Sequence, residues 1–184
     1  MRKILIIGAG GIGSFLIPLL DKTNLYDLHV YDPDIVEEKN LTYQNFGKED
    51  VDKYKVNCMA TRFNTVKPNP YPVLTTRQLK GYDLVICCAD NLTVRRTLYN
   101  SDVSWLDLRA QGRNATLVSY KEKEELRNEL TQGPDGSFSC QGDAWEGKTE
   151  DVHFMQVAIA GMGAEWIQRW FMDEDVFTHR LIAG

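Results

Sequence analysis

The chain has 184 residues, 43% of them hydrophobic and 26% charged, with a formal net charge of −5 at pH 7. This composition excludes a disordered chain, and the mild acidity offers no electrostatic footprint for nucleic acid. The four cysteines, at 58, 87, 88 and 140, form no C-x-x-C pair, which excludes the usual zinc spacing and a secreted disulfide framework.

The first element is a strand. Ile4-Leu5-Ile6-Ile7 is a continuous apolar run, rich in β-branched residues, of the kind found in buried parallel strands. Gly8, Gly10 and Gly13 follow it at G-x-G-x-x-G spacing, with Gly11 between them, and an apolar helix should run from about Ile12 to Asp21. Glycine at these positions permits a tight turn, close approach of backbone to phosphate, and seating of the helix on its strand. The free N–H groups and dipole of that helix then favour an anion. Arg2-Lys3 ahead of apolar residues also has the outline of a secretory signal, but glycines interrupt the run and no A-x-A-like cleavage site precedes Asp21. No other stretch is long and apolar enough to span a bilayer, so no membrane partner is expected.

Leu28-His29-Val30-Tyr31 predicts the second strand. Asp32 ends it about 20 residues after the glycines, where a carboxylate accepts hydrogen bonds from ribose hydroxyls; a simple turn residue is the other reading. A long polar loop through Asn40, Tyr43 and Gln44 replaces the next helix of an ordinary dinucleotide domain, and a helix is expected to begin within Asp50–Val56. Leu84–Cys88 reads as a further buried strand, with Cys87 and Cys88 in the core. Asp90 sits just beyond it, where open α/β sheets place ligands, and is either a Mg²⁺ ligand or the N-cap of a helix over 91–100.

These segments together resemble the ubiquitin-activating-enzyme-like family, which includes the bacterial ThiF, MoeB and HesA adenylyltransferases. The family pattern G-x-G-G-x-G-S is met at Gly8–Ser14, D-x-D-x-V at Asp32–Val36 and D-N-x-x-x-R at Asp90–Arg95, while N-L-x-R-Q at Asn40–Gln44 and D-[VI]-G-K-x-K-[AV] at Asp50–Val56 are each met but for one residue. The resemblance covers residues 3 to about 120 and returns in the small-residue helix around 156–165. It implies ATP bound by Gly8, Gly10, Gly11, Gly13, Asp32, Asn40, Tyr43, Gln44, Lys55, Asp90, Asn91 and Arg95, with Mg²⁺ on Asp90. Lys55 and Asp90 would carry the catalysis. Lys55 is a mobile charge able to reach phosphates, though a solvated helix lysine reads the same way. Arg95 either faces the site or pairs on the helix surface, with the site preferred.

Three departures stand out. Tyr43 replaces the family's phosphate-binding arginine, which weakens charge stabilisation unless Arg109 or Arg113 compensates. Asp52 replaces a glycine. The family's N-terminal helices and paired zinc motifs are missing, so a minimal or partner-dependent member is expected. Residues 131–152 read as a long polar loop, which the resemblance implies crosses over the substrate groove; Cys140 in it is a candidate acyl acceptor, with an unreactive loop cysteine the preferred reading. The apolar helix from about His153 to Met172 should be buried against the sheet or at a subunit interface. His153 is read as a helix-start residue, and 173–184 as a tail.

The expected fold is a Rossmann-like, three-layer α/β/α domain over 1–184. Its sheet is mainly parallel, with a late antiparallel edge near Ala115–Tyr120. The expected activity is ATP-dependent adenylation of a carboxylate, the C-terminus of a ubiquitin-like or other small protein or peptide, with release of pyrophosphate. A cytoplasmic homodimer is expected. The alternatives are a non-catalytic partner subunit of an activating enzyme and an NAD-dependent oxidoreductase.

Overall fold

The computed structural model describes residues 1–134, 136, 139–142 and 145–184. Strands β1 (Arg2–Ile7), β2 (Tyr26–Tyr31), β3 (Val66–Asn69), β4 (Leu84–Cys87) and β5 (Trp105–Gln111) pair in parallel. β6 (Asn114–Ser119) and β7 (His179–Ala183) add an antiparallel edge. The order across the sheet is β3-β2-β1-β4-β5-β6-β7.

Helices cover both faces, because alternate residues of the central strands point to opposite sides. Ile4 and Ile6 of β1 pack with Leu16 and Ile17 of α1 (Gly13–Asp21), Met59 of α2 (Lys55–Arg62), and Ile159 and Trp166 of a later helix, Met155–Phe171. Leu5 and Ile7 face the other way, onto Leu98 and Tyr99 of α3 (Leu92–Tyr99). A short surface helix, α4 (Glu124–Glu129), buries none of its residues, and the Met155–Phe171 helix is α5. α5 is apolar on more than one side, as its sequence requires. Gly163 brings it close to Leu108 of β5, while Phe154 and Val157 at its start remain exposed.

The helix expected to begin within Asp50–Val56 starts at Lys55, after a 3₁₀ turn over Lys48–Asp50. Backbone pairing of Val36 with Lys53 and Asp52 (2.8 and 3.0 Å) straps this segment to the polar loop and keeps it out of the helix. The segment 173–184 is not a loose tail, since β7 lies within it, paired along β6. Finally, β3 escaped notice because Pro68 interrupts it; as an edge strand it tolerates the missing donor.

Asp52 sits at φ 64°, in the left-handed region. A glycine there would relieve the strain of a Cβ. Asp52→Gly is therefore expected to stabilise the fold by about 0.5–1 kcal/mol, read as a higher urea midpoint at unchanged m-value.

Candidate active site

After β3 the chain returns to lay β4 on the other side of β1, so the carboxyl ends of β1 and β4 flank the reversal in strand order. Open α/β sheets form their ligand crevice at such a point. Gly8 turns out of β1 at φ 97°, and a Cβ there would stand 2.9 Å from Ala89 N, beyond the end of β4. A Cβ at Gly13 would overlap Gly8 O, so Gly13 seats α1 on the turn rather than lining the crevice. Between them, the N–H groups of Gly10, Gly11 and Ile12 donate to no protein acceptor among the described residues. They lie at the positive end of α1, a ready cradle for an anion.

A cavity of about 1500 Å³ opens over this turn. Gly8, Gly10 and Gly11 line it with Asp32, Asn40, Tyr43 and Gln44 of the polar loop, Lys55 of α2, the β4–α3 residues Asp90, Asn91 and Arg95, and Cys140. Of the nominated site residues, Gly13 alone stands off the lining.

Their electrostatics differ. Asp32 is 6% exposed, and its two oxygens accept from Ala9 N (2.7 Å) and Asp34 N (2.8 Å), so the acid also anchors the glycine turn. Burial pushes its carboxyl above the usual range, with Lys55 working against the shift. Lys55 is itself buried, with Nζ 3.2 Å from Oδ2 of the well-exposed Asp34. An exposed partner holds such a pair weakly, so an anion can replace it. Asn40 spends Oδ1 on Glu37 N (2.8 Å), stabilising its own loop, while Nδ2 points toward Tyr43 Oη at 3.5 Å. Gln44 Oε1 is buried without a partner among the described residues.

The N-cap of α3 is Asn91, whose Oδ1 accepts from Val94 N, and not Asp90. Capping commits the Asn91 carbonyl and leaves Asp90 exposed at the cavity wall. A single hard carboxylate, with no cluster of three metal-ligating residues among the described residues, fits Mg²⁺ shared with a nucleotide's phosphates rather than caged by protein.

Of the two candidate compensating arginines, Arg109 lines the cavity but is bonded into its wall, and Arg113 lies off it. Arg109 Nε donates to Asp107 (2.7 Å), Nη1 to Leu130 O (2.8 Å) and Nη2 to Tyr99 Oη (2.9 Å), whereas Arg113 lines a separate, smaller cavity. Arg95 Nε donates to the same Asp107, at 3.3 Å. Burial opposes charge on Asp107, yet Arg95, Arg109 and the Tyr99 hydroxyl outweigh it and hold the carboxyl below its ordinary value. Tyr43 meets Trp145 edge-on at 5.1 Å between ring centroids, and its carbonyl accepts from Gln156 Nε2.

Cys140 is not the open loop thiol that the sequence suggested. Its Sγ fills the space a side chain at Gly11 would need, and burial, despite a contact from Gln141, pushes the thiol up to about 11. Of the 131–152 loop, residues 135, 137, 138, 143 and 144 lie outside the described residues.

A model of the ThiF family matches residues 1–104. The chain belongs to the ThiF family. Relatives include the Nedd8-activating enzyme E1 catalytic subunit of Drosophila melanogaster, 30% identical over 119 residues, which are 60% of this chain and 26% of that protein. A probable molybdopterin-synthase adenylyltransferase of Gracilaria tenuistipitata var. liui is 34% identical over 109 residues, 54% of this chain and 31% of that one. E. coli MccB, solved with AMPCPP and MccA, superposes with TM-score 0.74 over all of this chain and 60% of its own length, at 16% identity, a likeness of fold. This ThiF-family chain thus spans about a quarter to a third of these curated relatives.

Sequence reasoning missed Asp34 as the counterion of Lys55, Asp107 as the hub of two arginines, and Trp145 against Tyr43. Asp34 was within the D-x-D motif. Asp107 and Trp145 carried no local signal, because their partners are distant in the chain.

A thiol raised to about 11 is almost wholly protonated at neutral pH, and only the thiolate alkylates readily. Peptide mapping after iodoacetamide at pH 8 is therefore expected to show Cys140 reacting at least about tenfold more slowly than a free cysteine, with the rate climbing as pH approaches 11.

Proposed function

We propose that this ThiF-family chain adenylates the C-terminal carboxylate of a small protein or peptide. The observation that carries this reading is the convergence of unpartnered turn amides, an exchangeable Lys55 and an exposed Asp90 on one cavity. At about 1500 Å³ that cavity exceeds the usual ligand-pocket range of roughly 300–1,000 Å³, leaving room beside a nucleotide for an acyl tail. Its relatives are named as adenylyltransferases and activating enzymes, and E. coli MccB has been solved with ATP.

In this reading residues 1–184 act as one nucleotide-binding domain. The glycine-turn amides hold phosphate oxygens, and Asp32 keeps the turn in place while offering its remaining lone pairs to ribose. Lys55 leaves Asp34 for the phosphates. Mg²⁺ at Asp90 would supply further neutralisation. A carboxylate oxygen bonds to the α-phosphorus as the bond to the leaving phosphate breaks, and that electron pair departs on pyrophosphate. Alignment and charge neutralisation supply the rate. Cys140, protonated and packed on Gly11, is not in a state to accept an acyl group and would need the loop to move first. Four unpaired cysteines support a reducing, cytoplasmic setting. A homodimer is part of the proposal, since Phe154 is 70% exposed at the N-cap of α5 and a second copy would cover it.

A second reading, the non-catalytic partner subunit, is favoured by one observation: Tyr43 brings no charge where the family has arginine. An NAD-dependent reaction has no comparable support from the site.

Pyrophosphate exchange into ATP, assayed with peptide acids, tests the proposal. Exchange is expected in the wild type, to fall about 10²–10³-fold in Lys55→Met and to vanish in Asp90→Ala. Tyr43→Arg is expected to raise it about tenfold. Absence of exchange in wild type and in Tyr43→Arg, with partner binding intact in Asp90→Ala, would establish the non-catalytic subunit instead.

A further inference from the structure

The adenylation reading leaves one buried charge unused. Arg95 is 7% exposed, and its remaining exposure opens into the cavity. Its Nε is spent on Asp107 Oδ1, but its Nη1 and Nη2 meet no protein acceptor among the described residues. Asp107 already accepts three hydrogen bonds, because Tyr99 Oη (2.7 Å) and Arg109 Nε (2.7 Å) both donate to Oδ2. Arg109 in turn is tied down by Tyr99 and the Leu130 carbonyl. The group therefore comprises two guanidinium charges and one carboxylate. It carries one net positive charge, and Arg95 is the member of the pair whose two terminal nitrogens meet no acceptor among the described residues. Such a fork is shaped for a planar, two-oxygen anion.

Strand order says which anion. Asp32 stands at the end of β2 and Asp107 lies in β5, three strand spacings away across β2-β1-β4-β5, or roughly 14 Å at about 4.8 Å per strand. The turn amides and Asp90 lie beyond β1 and β4, between these ends, and Lys55 lies on the Asp32 side, beside Asp34. A nucleotide with its ribose near Asp32 and its phosphates on the turn leaves the β5 side of the cavity for the other reactant. That side is also lined by Ala110 and Gln111 of β5, and by Asn114 and Thr116 of β6.

We propose that Arg95 is the receptor for the carboxylate of the acyl substrate, held rigid by Asp107 and Arg109, and that it does not bind the nucleotide. The proposal rests on the adenylation reading for the identity of the second reactant. One carboxylate cancels the cluster's single surplus charge, whereas a triphosphate would overshoot it. Arg95 orients one carboxylate oxygen toward the phosphorus and releases it as the acyl–phosphate bond forms. Arg109 acts only through Asp107 and is a positioning residue.

The test uses a mixed pool of tripeptides with free C-terminal carboxylates, and the same pool as C-terminal amides, passed over the immobilised full chain with Mg²⁺ and AMPCPP. The wild type is expected to retain the acids over the amides by at least tenfold. Arg95→Gln should abolish that preference while its affinity for AMPCPP changes less than twofold, which also shows that the variant is folded. Arg95→Lys, which keeps the charge against Asp107 but loses the fork, should retain part of the preference. Equal retention of acids and amides by the wild type would overturn the proposal. So would an Arg95→Gln variant that keeps the preference or loses AMPCPP binding. Pyrophosphate exchange is followed separately on the same pool. Acid-selective retention lost in Arg95→Gln, but without exchange, would uphold the carboxylate site and reject the adenylation reading alone.

Discussion

Past the carboxyl ends of β1 and β4 the two backbones run so close together that residue 8 has no room for a side chain. Gly8 turns at positive φ against Ala89, and Gly13 then brings α1 down onto the Gly8 carbonyl. This backbone-on-backbone contact aims the amides of Gly10, Gly11 and Ile12 at open space instead of at other carbonyls. Asp32 reinforces it from the neighbouring strand by accepting from Ala9 N. A bulkier turn would move α1, the amides and the floor of the cavity together, so the site depends on this contact before it depends on any charged residue.

The charges around the turn fall into two kinds. Lys55 pairs with a carboxylate that is largely in water, so the pair is cheap to exchange for another anion. Arg95 and Arg109 share an acid that is fully buried, where loss of one partner would strand a charge in a poorly solvating interior. The first arrangement suits a group that must engage and release a ligand. The second suits a rigid wall. Together they give the cavity an adaptable side over β1 and β2 and a fixed side over β5.

The central strands, the glycine turn and the residues brought to the cavity were legible because each signal is local. Apolar runs, glycine spacing and acids placed just beyond strand ends can all be read within a dozen residues. What escaped reading depended on partners far away in the chain. β7 exists as a strand because β6 offers it a ladder, and the 173–184 segment has no apolar alternation of its own. Cys140 looked accessible because its neighbours are polar, yet packing on Gly11 half-buries it.

The sequence by itself determined which residues could handle a nucleotide, since glycine, acid and amine at those spacings have few other uses after a parallel strand. It also determined the layering of the fold, through runs of residues that must be buried on both faces. Only the tertiary structure decided what each side chain is free to do. It committed Asn91 to a cap and Arg109 to a buried acid, and it left the Arg95 fork and the turn amides without acceptors among the described residues. Hydrogen bonds are exchanged between groups that meet in space, and such meetings across the sheet are invisible to spacing along the chain.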